Sequence, residues 1–309
     1  MRIIVAGLFG LCLFALSPVP AEAKLKIFGC FPEWQTLARE LGGDAVEVSV
    51  AADVETNPAH VNVTPALIAA LKQADLLVCT GAGAEDKWLP GALKRANNPK
   101  LGKGQPGQFF ARDFVKGLES PGHKHGAKQA GKSHSHEAAA GNPHIQGDPH
   151  RIRALAGQLA RRMIALDPSE AKRYGANTKA FIRSLGTLIK SLEAEAAPLR
   201  GVNIAVQQGN SAYLLNWLKI NSVATVQPQA GVAPGSADLD RIVVQVPRDK
   251  IKFITHAAYE NPQPSAYVAK RAGVPLVKLP FTVGGTDDAK TFADFYRSSV
   301  RLMLDALAK

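Results

Sequence analysis

From residue 25 onward, short apolar runs alternate with stretches whose apolar residues recur every three or four positions, the pattern of a parallel sheet with crossover helices. The runs LKIFGC (25–30), VEVSVA (46–51) and LLVCT (76–80) read as strands, and helical stripes between them carry Trp34, Leu37 and Leu41, then Leu67, Ile68 and Leu71 after Pro65. Asp148 and Pro149 supply an N-cap and a first helical residue for a helix to Leu166, with Ile152, Leu155, Leu159 and Met163 on one stripe. Asp167, Pro168 and Glu170 have the spacing of a capping box and open a second helix carrying Phe181, Leu185, Leu188, Ile189 and Leu192, ending near Pro198 and Gly201. About 30 helical residues would reach roughly 45 Å, enough for a stiff connector along both lobes.

The alternation then restarts. VNIAV (202–206), SVATV (222–226), KFITH (252–256) and VPLVKL (274–279) read as strands, and a helix from about Asp287 to Leu307 closes the chain. The expected fold is α/β: two βα lobes with parallel sheets joined by one long rigid helix. Residues 24–167 form the N-terminal lobe, 168–200 the connecting helix and 201–309 the C-terminal lobe. Two similar lobes imply a cleft between them, a preferred place for a small ligand.

Residues 1–23 depart from this pattern. Arg2, an apolar run from Ile3 to Leu16, and Ala21-Glu22-Ala23 read as a secretory signal cleaved after Ala23, the run being shorter than the roughly 20 residues a spanning helix needs. The expected location is therefore the periplasm. Cys12 leaves with the signal, and Cys30 and Cys79 remain at the ends of the first and third strands, either bridged or as two separate buried thiols.

Composition narrows the function. With 309 residues, 46% hydrophobic and 20% charged, the chain can bury a sizeable core. The net charge of +11 comes without zinc-finger spacing, an RNP motif or a basic helix with heptads, so nucleic acid is not an expected partner. The chemical signal lies in the histidines. Six of the eight fall between 123 and 150, and four of those, His123, His125, His134 and His136, stand in a polar stretch (122–137) without hydrophobic periodicity. Neutral imidazole suits zinc, copper and nickel, and His-x-His pairs on a surface loop can capture such ions. His144 stands apart on the proline-stiffened turn GNPHIQGDP, and His60 on NPAH in the loop leaving the second strand; both should face the cleft.

These segments, with PEW (32–34), TPALIAALKQADLLVCTG (64–81), Trp88-Leu89-Pro90 and LPFTVGG (279–285), resemble the zinc/manganese solute-binding proteins of ABC importers, the cluster A-I family, across essentially the whole chain beyond the leader. The resemblance implies a receptor that carries a divalent ion, zinc ahead of manganese, to a membrane permease. It implies no enzymatic turnover, and a monomer is expected. It also implies metal ligands from the loop after the second strand, from the histidine of the NPH turn, from the first loop of the second lobe and from a late acidic residue. His144 matches the second of these. His60 lies one place after the usual position, which Ala59 occupies; Gln208 stands at the third; Pro280 stands at the late acidic one, with His256 and Glu260 near another ligand loop.

Three arrangements stay open: an altered site of His60, His144 and His256 completed by water or Glu260; capture mainly by the loop histidines; or a cleft that has lost tight binding. The competing function is a periplasmic zinc buffer or chaperone working mainly through its His-rich loop. A zinc or serine hydrolase is disfavoured, since neither His-Glu-x-x-His nor Gly-x-Ser-x-Gly occurs.

Overall fold

The computed structural model describes residues 23–81, 83–118, 141–229 and 232–309. The first half runs β1 (Leu25–Gly29), α1 (Pro32–Gly42), β2 (Val46–Val50), α2 (Pro65–Gln73), β3 (Leu76–Cys79), α3 (Leu89–Ala96) and β4 (Gln108–Phe110). Then follow α4 (Pro149–Leu166) and α5 (Ala171–Glu195), and the second half runs β5 (Asn203–Val206), α6 (Ala212–Leu218), β6 (Asn221–Thr225), α7 (Ser236–Arg248), β7 (Ile254–Ala257), α8 (Gln263–Ala272), β8 (Leu276–Leu279) and α9 (Phe292–Leu307). The two sheets are parallel and share one order, β2-β1-β3-β4 and β6-β5-β7-β8. In such sheets the order reverses beside the first strand of each half, and ligands gather outside the carboxyl ends of the strands at that point.

Local chemistry sets the helix starts. Thr64 accepts from Leu67 N (3.2 Å) ahead of Pro65, Asp148 accepts from His150 N (2.9 Å) ahead of Pro149, and Thr291 accepts from Asp294 N (3.1 Å). Each side chain satisfies a backbone donor that the first helical turn leaves unpaired. The expected capping box at Asp167 is not formed: its carboxylate accepts instead from Ser169 Oγ (2.5 Å) and Tyr174 OH (2.6 Å), and a 3-10 turn, Pro168–Glu170, precedes α5. α5 is consequently 25 residues long rather than about 30. At 1.5 Å per residue it spans roughly 37 Å.

The principal core is continuous across the lobes. It includes Phe28, Trp34 and Phe109 of the first lobe, Leu155 and Leu159 of α4, Leu185 and Leu192 of α5, Tyr213 of α6, and Phe292, Tyr296 and Met303 of α9. α9 helps to make it continuous, because it leaves β8 and returns to α5, where Phe292 meets Phe181 edge-on at 6.0 Å. A smaller core, including Ile242, Val246, Ile254 and Val268, lies between α7, α8 and the second sheet. A buried apolar interface of this kind favours a fixed arrangement of the lobes over free hinge bending. Among the described residues no helix is long and apolar enough to cross a membrane.

Candidate metal-binding cleft

The turn bearing His144 is held by hydrogen bonds from several elements. Asn142 Oδ1 accepts from the His144 backbone N (3.0 Å), while Asn142 Nδ2 donates to Gly209 O in the second lobe (2.8 Å). Tyr213 OH accepts from Leu118 N (2.9 Å) and donates to Asn142 O (3.1 Å). Tyr296 OH donates to Gln146 O (2.8 Å), and Gln146 Nε2 donates to Phe281 O (3.3 Å). The turn is thus held from both lobes, and α9 fixes its far end. Gly147 is required by the closeness of this packing, since a Cβ there would lie 2.8 Å from Leu214 N.

A small cavity of about 10 Å³ lies beside this turn, lined by Glu33, Asp53, Thr80, His144, Phe281 and Thr282 among others. That is about the space of one water. It draws on α1, the loop after β2, the end of β3, the NPH turn and the loop after β8, so it belongs to both lobes. Thr282 Oγ1 donates to Glu33 Oε2 across it (2.8 Å). The His144 ring meets Phe281 edge-on at 5.1 Å, and Phe281 in turn meets Tyr259 at 4.8 Å. Phe281 holds φ at 53°, a left-handed conformation costly for a bulky residue.

Burial governs the ionisation of these groups. Desolvation pushes the His144 imidazole down to about 4, so its ring is neutral and keeps a lone pair at neutral pH. Desolvation raises Glu33 to about 7, against hydrogen bonds from its own backbone and Thr282, with repulsion from Glu85 adding to the rise. A cation in the cavity would favour the charged carboxylate.

The other candidate ligands have different surroundings. His60 ends the 3-10 turn Pro58–His60 and is exposed; Pro58 of the same turn lines the cavity. Gln208 is half-buried ahead of the 3-10 turn Gly209–Ser211. His256 on β7 is buried, and its Nδ1 donates to Ala257 O (2.9 Å), which leaves Nε2 as the ring's acceptor. Glu260 accepts from Ala257 N (2.7 Å) and Asn210 Nδ2 (2.9 Å), with burial raising it to about 7. Pro280 lies one residue before Phe281, and His123, His125, His134 and His136 lie outside the described residues.

The structure does not gather His60, His144, His256 and Glu260 into one set. Among the described residues, the one group of three or more His, Cys, Asp or Glu with ligand atoms within 4.8 Å of one another is Cys30, Cys79 and Glu85. The sequence reading missed Glu33, Asp53 and Thr282. A usable signal existed for two of them: Glu33 opens the helix directly after the first strand, and Asp53 shares the loop of His60.

Comparison with known proteins fixes the kinship. The family model described as "Zinc-uptake complex component A periplasmic" matches residues 27–308. The chain belongs to this family. It is accordingly a metal-binding solute-binding protein of the cluster A-I type. The manganese ABC transporter substrate-binding lipoprotein PsaA of Streptococcus pneumoniae is 22% identical over 318 residues, covering 100% of this chain and 96% of that protein. The high-affinity zinc uptake system protein ZnuA of Brucella abortus is 27% identical over 121 residues, covering 39% of this chain and 35% of that protein. A crystal structure of ZnuA superposes with a TM-score of 0.76 at 20% identity, covering 93% of this chain and 100% of that one. A Mn-bound periplasmic metal binding protein from Candidatus Liberibacter asiaticus gives 0.72 at 20%, covering 91% and 98%. At these identities the two structures speak for the shared fold.

Proposed function

We propose that this protein captures a divalent transition-metal ion, zinc in the first instance, in the cleft around His144 and delivers it to the membrane permease of an ABC importer. The observation that carries the reading is a neutral imidazole on a turn held from both lobes, beside an ion-sized cavity that also presents carboxylates. His144 is the first ligand. His60, His256, Gln208 and Glu260 remain its candidate partners, His60 through a local reshaping of its loop. Export with cleavage after Ala23, the lobe boundaries near 167 and 201, and auxiliary capture by His123, His125, His134 and His136 belong to the same reading.

One observation favours manganese as a second reading: Glu33 and Asp53 line the cavity beside a single histidine, and carboxylate oxygen suits manganese better than an all-imidazole site does. Native mass spectrometry of the protein with equal Zn2+ and Mn2+ distinguishes them. Retention of one zinc per chain that His144→Ala abolishes supports the zinc reading, retention of manganese alone supports the second, and binding indifferent to His144 refutes both.

A further inference from the structure

Beneath the cleft lies a donor cluster that metal delivery does not use. β1 and β3 are neighbours where the strand order reverses, and the residues at their carboxyl ends, Cys30 and Cys79, are joined as a disulfide with Cα atoms 4.9 Å apart. Glu85 completes the 4.8 Å group. Both cysteines are fully buried, and Glu85 is 2% exposed. Phe31, Thr80 and Ala84, each adjacent in sequence to one of the three, line the cleft cavity, so the cluster is a single residue away from it.

Glu85 is fixed in place. One carboxylate oxygen accepts from Thr80 N (2.7 Å) and the other from Gly81 N (3.1 Å). The Thr80 hydroxyl and the Glu85 backbone N–H also donate to the carboxylate, so with about four lone-pair positions a metal would take the place of one of these weaker partners. Two thiolates and a carboxylate oxygen are a donor set for zinc-like ions, with soft sulfur selecting thiophilic metals over manganese or magnesium.

We propose that reduction of the Cys30–Cys79 bridge opens a second, buried site, in which both sulfurs and the Glu85 carboxylate hold a thiophilic divalent cation such as Zn2+ or Cd2+. The reductant is a dithiol. It delivers two electrons and two protons, the S–S bond breaks to give two thiols, and the reductant leaves as its own disulfide. Metal binding then forms two metal–sulfur bonds and releases the two thiol protons to solvent. The site shares no ligand with the cleft and is closed to metal while the bridge stands.

The test uses the full chain carrying Cys12→Ser, so that only two thiols are present whether or not the leader is removed. The protein is reduced with dithiothreitol, freed of reductant anaerobically and titrated with Cd2+, whose thiolate charge-transfer absorbance is blind to imidazole. The band is expected to saturate at one ion per chain, to be absent from the oxidised protein and to persist in His144→Ala. Zn2+ is expected to slow alkylation of the thiols by at least about tenfold, the protection given by free metal at ten times its dissociation constant. Glu85→Gln is expected to weaken cadmium binding by about tenfold or more. Near-ultraviolet circular dichroism follows the fold throughout. Absence of the band, alkylation unaffected by zinc, cadmium affinity unchanged in Glu85→Gln, or a native signal lost on reduction and not restored by zinc would each overturn the proposal. Because the band reports sulfur alone, its failure is distinct from failure of the cleft to bind metal.

Discussion

Glu33→Gln isolates the electrostatic cost of the lobe contact. Glu33 is 4% exposed, accepts a hydrogen bond from Thr282 across the cleft and has its pKa raised from 4.5 to about 7, chiefly by desolvation. Below pH 4.5 the carboxyl is protonated in both the folded and unfolded chains, so it imposes no penalty. As pH rises, the unfolded chain ionises first and is favoured, and the folded state loses stability until its own carboxyl ionises near pH 7. At 1.36 kcal/mol per pKa unit, the loss between pH 5 and pH 8 is about 2–3 kcal/mol. Glutamine retains a carbonyl oxygen for Thr282 but cannot ionise. Urea denaturation of parent and variant at the two pH values measures the difference directly. The parent should lose about 2–3 kcal/mol more than Glu33→Gln on going from pH 5 to pH 8. Equal losses would show that Glu33 is not desolvated in the metal-free protein and would refute the reasoning.

Three further outcomes are expected. Tyr213→Phe leaves Leu118 N and Asn142 O without their partner and should cost about 1–3 kcal/mol in urea denaturation. Gly285→Ala would drive a Cβ into the Pro280 carbonyl oxygen, so its melting temperature should fall and the loop carrying Phe281 should shift, as a crystal structure or amide exchange would report. Because the principal core spans both lobes, fluorescence of Trp34 and Trp88 in the first lobe and of Trp217 in the second should report one unfolding midpoint, read from single-tryptophan variants. Separate midpoints would contradict the continuity of that core.

Seven of the eight strands and the long helices were legible because their apolar residues keep a regular period, and α4 also starts with proline behind a capping side chain. β4 was not, since Gln108–Phe110 is too short to show alternation and exists through pairing of Val78 with Phe109 and of its neighbours. The last helix begins at Phe292 rather than Asp287 because Thr291 caps it, while Asp288 accepts from Thr286 Oγ1 and Ser298 Oγ outside the helix. At the site, His144 was legible because the NPH turn is a local feature. Glu33 and Thr282 stand 249 positions apart and meet only when the lobes pack, and no sequence period records that meeting. That Glu33 and Asp53 line the cavity beside His144 became visible only in the fold.

The central claim is that metal is held in the interlobe cleft through His144 rather than on the histidine-rich stretch. Its most direct measurement is a zinc titration, against a chromophoric chelator, of the chain lacking residues 123–136, with and without His144→Ala. The account predicts one site per chain that survives the deletion and is weakened by about 100-fold or more when the imidazole is removed. Loss of all binding with the deletion, or an affinity unchanged by His144→Ala, would contradict it.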